Sequence, residues 1–517
     1  MSDTARTFGS GAVATPHYLA SMAGATMLAS GGNAVDAAVA ASLVLGVVTP
    51  YLCGYGGDLL ALVWDGDLHA YRGVGRSPQD ATIDGVRERS GGDDMPTFGA
   101  HTVTVPGAID GWFTLLERFG SRSFGEVAAT ALRYATDGFP VSTRGAWYFA
   151  RSCQLYSHFG LDDFAHAYGG ARPGEWLAQP ALAKTISTLA ADGPDVYYRG
   201  PIGEAIAQRL AEAGSFMTPD DLARHEGAWV TPLRASFHGT EIVELPPPTQ
   251  GVTALELLRI VDGLDLPPAG PAREHLLIEA AKLAILDRDT YVGDPDSMTV
   301  DPALMITDRW VAQRRETIDP DRASNPAPHP GPDGGTIYMC AADADGRLVS
   351  LIQSNFTAAG SGVSVPAWGI NLQNRGSSFR LQPGHPNALG PSKLPMHTLI
   401  PAMAMRDGRP SMVFGTMGGH GQAQTHLQML VRMLIDGEDP QSAISAPRFA
   451  VDPGSWVVGL ESRYDTTWTD DLRRRGHEVR IGRDYDDGMG HAHAIQLLSP
   501  GYCAASDPRA EGAALGL

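Results

Sequence analysis

Asp333-Gly334-Gly335-Thr336-Ile337-Tyr338-Met339-Cys340-Ala341-Ala342-Asp343 is the stretch on which the reading of the whole chain turns. A glycine pair runs straight into a threonine, and the residues after it favour extended structure. Asp343-Ala344-Asp345-Gly346 supplies a turn signal, and Leu348-Val349-Ser350-Leu351-Ile352-Gln353-Ser354-Asn355 follows as a second strand-like run. The pattern predicts a β-hairpin whose first residue is Thr336.

A threonine hydroxyl is a weak nucleophile without a base beside it. As the first residue of a chain, Thr336 would carry its own base: an α-amino group with a pKa of roughly 7.7–8. That requires the Gly335–Thr336 bond to be cut, and glycine before the threonine tolerates the backbone angles such a step needs. Taken alone, Gly-Gly-Thr at a strand start is an ordinary turn. Further along, Gly415-Thr416-Met417-Gly418-Gly419-His420 follows the apolar Met412-Val413-Phe414 and precedes a helix-like segment, Gln424 to Leu434. A glycine pair between strand and helix presents backbone N–H groups to an anion, which is what the oxyanion of an acyl transfer requires.

These two signals, in this order, resemble the γ-glutamyltransferase family of N-terminal-nucleophile hydrolases. The resemblance covers nearly the whole chain. It includes Ala14-Thr15-Pro16-His17, Gly31-Gly32-Asn33-Ala34-Val35-Asp36, Gly54-Tyr55-Gly56-Gly57-Asp58 and Val105-Pro106-Gly107. Later matches are Pro246-Pro247-Pro248, Gly293-Asp294-Pro295, Ala446-Pro447-Arg448-Phe449 and Ala505-Ser506-Asp507-Pro508-Arg509. The resemblance implies an α+β fold: a four-layer αββα sandwich made of a large subunit (1–335) and a small subunit (336–517) cut from one precursor. Thr336 would be the nucleophile, Ser354 the supporting hydroxyl, and Gly418 and Gly419 the oxyanion donors. No metal or cofactor is implied, and the partners are a small-molecule substrate and the two subunits themselves. Further association of such heterodimers into a homo-oligomer is left open.

The specificity residues depart from the family pattern. An arginine should clamp a substrate carboxylate, as its planar fork suits that group. Arg72 and Arg76 compete for this place, with Arg72 preferred. Asn374 falls among the expected substrate contacts. Ser378 stands where an acidic residue would hold a substrate ammonium, and His397 and Thr398 stand where two serines would meet a carboxylate. The stretch between Phe379 and Pro391 is short, so the family's lid is expected to be missing. An open, less acidic pocket argues against glutathione as the best substrate. Three functions follow as expectations: an amidase or acylase working mainly by hydrolysis; a C–C bond hydrolase of natural-product (alkyl-proline antibiotic) biosynthesis; or a non-catalytic binding protein that keeps the fold.

Composition sets outer bounds. A length of 517 residues with 43% hydrophobic content suffices for a large core, and a net charge of −19 argues against nucleic acid and anionic membranes as partners. The four cysteines, Cys53, Cys153, Cys340 and Cys503, lack metal-site spacing and read as reduced thiols. His491-Ala492-His493 could ligate a metal, but no third ligand accompanies it in the sequence. Ala34 to Val48 is apolar, short and carries Asp36, so it reads as a core helix. No basic-plus-apolar signal opens the sequence, and a cytoplasmic location is expected. Gly31-Gly32-Asn33 reads as a helix stop between Gly24–Leu28 and Ala34–Leu45, and helical periodicity is expected to dominate from Phe124 to Asp301. The proline-rich Ser324 to Gly335 reads as the mobile end of the large chain.

Overall fold

A computed structural model of the protein describes residues 5–326 and 334–517. The hairpin forms as the sequence predicts: Gly335–Ala342 pairs antiparallel with Leu348–Phe356. Side chains on the first strand alternate between two cores. Ile337, Met339 and Ala341 join a core shared with helices, while Tyr338, Cys340 and Ala342 join a core shared with a second sheet. A strand buried on both faces reads as a near-continuous apolar run, which is why this one is so plain in the sequence.

Each of the two sheets has seven strands. In spatial order the first holds Ala513–Gly516, Ala12–Thr15, Gly335–Ala342, Leu348–Phe356, Asp58–Trp64, Leu68–Gly73 and Ala228–Val230. The second holds Arg6–Phe8, Tyr502–Ser506, Ala492–Leu497, Arg409–Thr416, Ala402–Arg406, Thr240–Glu244 and Leu233–Phe237. Helix Ala34–Val48 lies on the outer face of the first sheet, and Phe124–Asp137 packs behind it. Helices Gly251–Asp262 and Gln422–Leu430 lie on that of the second, and Pro271–Tyr291 packs behind Gly251–Asp262. Helix, sheet, sheet, helix is the four-layer order that the resemblance implied. The two sheets meet closely at Gly415, where a Cβ would lie 2.5 Å from the ring of Tyr338. This brings the end of Arg409–Thr416, and the glycine pair beyond it, toward the start of the hairpin.

Local signals fare unevenly. The helices around Gly31-Gly32 are Tyr18–Ala29 and Ala34–Val48, and Asn33 begins the second rather than ending the first. Its side chain accepts from the N–H groups of Val35 and Asp36, and Asp36 returns a bond to the Asn33 N–H, a reciprocal cap. Between Phe124 and Asp301 the helical reading overlooks five strands: the two-residue Phe139–Pro140 and Trp176–Leu177, then Ala228–Val230, Leu233–Phe237 and Thr240–Glu244. The last two form a hairpin whose turn, His238-Gly239, has positive φ at both residues, as tight two-residue turns require. The four cysteines are free, and no described helix is long and apolar enough to cross a membrane. Of the proline-rich segment, residues 327–333 lie outside the described residues.

Candidate active site

The hairpin pairing slips at its open end. Gly335 faces Phe356 and Ile337 faces Gln353, so Ser354 and Asn355 together oppose Thr336. Such a bulge re-aims a side chain, here Ser354 toward the threonine. Thr336 Oγ1 lies 2.7 Å from the Gly335 carbonyl oxygen and 3.1 Å from Ser354 Oγ. Ser354 Oγ–H donates to the same carbonyl at 2.7 Å and accepts from the Phe356 N–H at 2.7 Å. Phe356 has a φ of 76°, a left-handed conformation that only a tightly constrained site imposes on a bulky residue. Thr336 and Ser354 are both fully buried. Two hydroxyls thus converge on one peptide carbonyl in a site shielded from bulk water.

Gly418 and Gly419 lie against this carbonyl's chain. A Cβ on Gly334 would sit 3.3 Å from the Gly419 Cα. Both glycines have positive φ, at 134° and 52°. Neither N–H donates to a partner among the described residues, whereas the Gly419 carbonyl is held by Gln250 Nε2 and the Gly418 carbonyl by the Gly421 N–H. The loop is braced from behind: Met417 N–H donates to the His491 carbonyl, and Gly490 packs on Met417. Gly490 is gripped in turn by Arg448, whose guanidinium pairs with Asp507 at 2.6 Å.

Two cavities border this region: the smaller touches Gly334 and Gly335, and the larger touches Phe356, on whose ring Gly334 packs. One, of about 560 Å³, is lined by Phe356, Ser377, Ser378, Met396 and His420, with Arg87, Asp93, Asp94, Asp289 and Arg380 also on its wall. The other, of about 350 Å³, is lined by Tyr51, Trp147, Tyr148, Arg151, Gly335 and Gly418. The larger cavity therefore carries acidic groups that sequence spacing did not find. Their carriers are distant in the chain and meet only in the fold.

The expected substrate residues scatter. Ser378 borders the larger cavity, but its hydroxyl donates to the carbonyls of Arg375 and Met396. Asn374 is buried and links Thr97 to Thr357. Arg72 donates to the Pro247 carbonyl, and Arg76 donates to the Ser392 carbonyl beside Asp294. Neither arginine borders the two cavities. His397 and Thr398 are fully buried in a polar cluster beneath the hairpin. There His397 Nε2 is 3.1 Å from Asp58 Oδ2, and Thr398 Oγ1 accepts from Arg375 at 3.1 Å. Asp58 pairs with Ser354 in the sheet. Burial pushes its carboxyl up to about 7, against the pull of Arg375 and of backbone N–H bonds, while burial holds the His397 imidazole well below its ordinary value. Arg375, which sequence reasoning passed over, is the cation of this cluster.

His491 and His493 are buried as neutral rings, pushed down to about 4 and about 3 by burial. Among the described residues, His275, Glu279 and His477 come together with ligand-like spacing. Their atoms are already engaged: Lys282 donates to Glu279 at 2.8 Å, and the two histidines bond each other at 2.7 Å. Glu279 and Lys282 also hold the backbone of Ser324, so the cluster pins the chain leading toward the hairpin.

A four-layer sandwich with Thr336 at the open end of a central hairpin, facing a glycine pair, defines the class of N-terminal-nucleophile hydrolases. The family profile for gamma-glutamyltranspeptidase matches residues 20–517, and the chain belongs to that family. It is a γ-glutamyltransferase-like enzyme. It is 37% identical to the glutathione hydrolase-like YwrD proenzyme of Bacillus subtilis, covering 98% of both chains. It is also 37% identical to the oxamate amidohydrolase proenzyme of Klebsiella pneumoniae, again over 98% of each. The cephalosporin acylase structure from Bacillus halodurans superposes with a TM-score of 0.95 at 34% identity, covering 99% of this chain and 97% of that one.

Proposed function

We propose that this protein is a self-cleaving amidase that uses Thr336 as nucleophile. The observation that carries the reading is the Gly335 carbonyl, held at 2.7 Å by Ser354 Oγ–H with Thr336 Oγ1 equally near. In the first reaction, Thr336 Oγ1 attacks the Gly335 carbonyl carbon. Negative charge develops on the oxygen that Ser354 already binds. The C–N bond breaks, the hydroxyl proton passes to the Thr336 nitrogen, and Gly335 is left as an ester on Oγ1. Water hydrolyses that ester, giving a large chain, 1–335, and a small chain beginning at Thr336. The freed amine then takes the proton of Oγ1 as it attacks a substrate amide. The N–H groups of Gly418 and Gly419 receive the oxyanion, the amine leaves with a proton, and water releases the acid.

Relatives named as proenzymes support processing, and their names, hydrolase, amidohydrolase and acylase, support amide cleavage. Denaturing gels with N-terminal sequencing test the first step: wild type should give a fragment starting at Thr336, and Thr336→Ala should stay whole. Turnover is tested with γ-glutamyl-p-nitroanilide and with oxamate. A Thr336→Ala protein that still cleaves would place the nucleophile elsewhere. Processed enzyme inert toward every amide would move the reading to C–C bond hydrolysis.

A further inference from the structure

The smaller cavity beside the hairpin has an aromatic wall to which the proposed reaction gives no role. Trp147, Tyr148, Arg151 and Leu155 lie on it. They belong to one helix, Thr143–His158, and their spacing puts them on one face of it. Ring contacts fix this face in place. Tyr51 and Tyr148 stack in parallel at 4.8 Å, Phe149 meets Tyr51 edge-on at 5.0 Å, and Trp147 meets Tyr148 edge-on at 4.9 Å. The Tyr148 hydroxyl is tied to Asp487 at 2.7 Å. Trp147 remains 42% exposed, with the Arg151 guanidinium 5.3 Å from its ring centre. A lone exposed tryptophan is ordinary on a protein surface. This one shares its cavity with the reacting groups, and a large ring held open beside rings already packed is a surface for a further flat group.

Gly334, Gly335 and Gly418 border the same cavity. The Thr336 nitrogen is bonded to Gly335 and so stands at the cavity's edge. In the reaction proposed above, cleavage makes that nitrogen a free amine and lets Gly334 and Gly335 withdraw. The amine takes the proton of Oγ1 as the hydroxyl attacks. When the C–N bond of the tetrahedral intermediate breaks, that proton passes to the departing nitrogen. The departing half of a substrate must therefore lie on the side of the amine. The glycine pair stands between the two spaces: Gly418 borders the smaller cavity, and His420, one residue past Gly419, borders the larger. A carbonyl held there divides the substrate, with its amine half over the smaller cavity and its acyl half toward the larger.

Building on the amidase reading above, we propose that the smaller cavity is the leaving-amine site and that Trp147 is its specificity-determining residue. The preferred substrates are amides of amines that carry a flat aromatic ring, which stacks on Trp147.

Amides of benzylamine and of cyclohexylmethylamine test this with the processed enzyme. The two amines are alike in size and basicity and differ in the flatness of the ring, so the leaving-group chemistry is matched. With γ-glutamyl or acetyl as the common acyl group, the wild type should favour the benzyl amide by about 5-fold in kcat/KM, the size of one ring-on-ring contact. Trp147→Leu should bring the two amides to within about 2-fold of each other by raising KM for the benzyl amide, and Trp147→Phe should keep the preference. Equal turnover of both amides by the wild type overturns the proposal and leaves the amidase reading intact. So does a Trp147→Leu protein that keeps the preference, or one that loses both amides by the same factor. Phenylacetyl against cyclohexylacetyl p-nitroanilide checks the direction. A preference there that disappears in Trp147→Leu would put the acyl half on Trp147 and overturn the assignment; no dependence on Trp147 supports it. If no amide is turned over, calorimetric titration of N-benzylacetamide into the processed protein decides. Saturable binding that Trp147→Leu weakens by about 3-fold or more supports the site. No binding to the wild type, or equal binding by the two proteins, overturns it.

Discussion

At the residue scale, Ser354 does two jobs through one oxygen. It accepts the Phe356 N–H and donates to the Gly335 carbonyl, so its proton can point only one way. In the proposed reaction that donor sits where charge appears as Thr336 attacks, and losing such a donor typically costs about 100- to 1000-fold in rate. Ser354→Ala should therefore slow self-cleavage by a factor of that order with little change in melting temperature, followed as the disappearance of full-length chain on denaturing gels. Cleavage at the wild-type rate would show that the carbonyl needs no hydroxyl partner. The serine was legible in the sequence by its count from Thr336. The bulge that aims it was not, because a slip in strand register leaves no mark in an apolar, doubly buried run. Ser378 teaches the converse. Its place on the cavity wall could be matched, but the carbonyls its hydroxyl would serve belong to the local turn and to Met396, eighteen residues on.

At the scale of elements, the motifs that flagged the family sort into those that react and those that hold. Ala446-Pro447-Arg448 and Ser506-Asp507-Pro508-Arg509 meet as one buried ionic ring: Arg448 with Asp507, and Arg509 with Asp507 and Glu461. Arg448 also donates to the carbonyls of Met489 and Gly490, the segment that backs Met417 and Gly418. Removing one member leaves an uncompensated charge inside the protein, a loss of about 3–5 kcal/mol. Arg448→Met should lower stability by that amount in urea denaturation. Whatever fraction folds should turn over an amide substrate more slowly, since the glycine pair loses its brace. Unchanged stability would mean that the ring is dispensable. The sequence carried these motifs openly, yet gave no sign that they meet, since Arg448 and Asp507 lie 59 residues apart. The central hairpin was legible because its local signals agreed. The Leu233–Phe237 and Thr240–Glu244 pair was lost among helices because its strands are short and its turn, His238-Gly239, carries weak turn chemistry.

Over the whole molecule, the fold buries ionisable groups of both kinds in their neutral forms, and this sets how stability follows pH. Burial pushes His17 and His491 down to about 4 and His426, His477 and His493 to about 3, with His397 held lower than usual by the same cause. Unfolded, each would bind a proton near pH 6.5, so each opposes folding increasingly as pH falls below that, by about 1.4 kcal/mol per unit. Buried carboxyls act in the other direction. Asp58 and Glu274 are raised to about 7, and Glu244 and Glu256 well above their usual range. Folded, they keep protons that the unfolded chain gives up near pH 4, so their contribution fades as pH rises, through about 7 for the first two and beyond it for the others. Between pH 4 and 6.5 the two effects oppose each other, and the histidines are the more numerous. Above 6.5 the histidine effect is spent and only the carboxyl effect continues. Melting temperature should therefore peak near pH 6.5 and fall on both sides, more steeply toward acid, in scans of Thr336→Ala, the variant expected to remain a single chain. Replacing His493 by Gln should flatten the acid limb and leave the alkaline limb unchanged. A melting temperature that keeps rising from pH 6.5 to 8.5 would show that the buried carboxyls, Asp58 under Ser354 among them, are ionised in the folded protein.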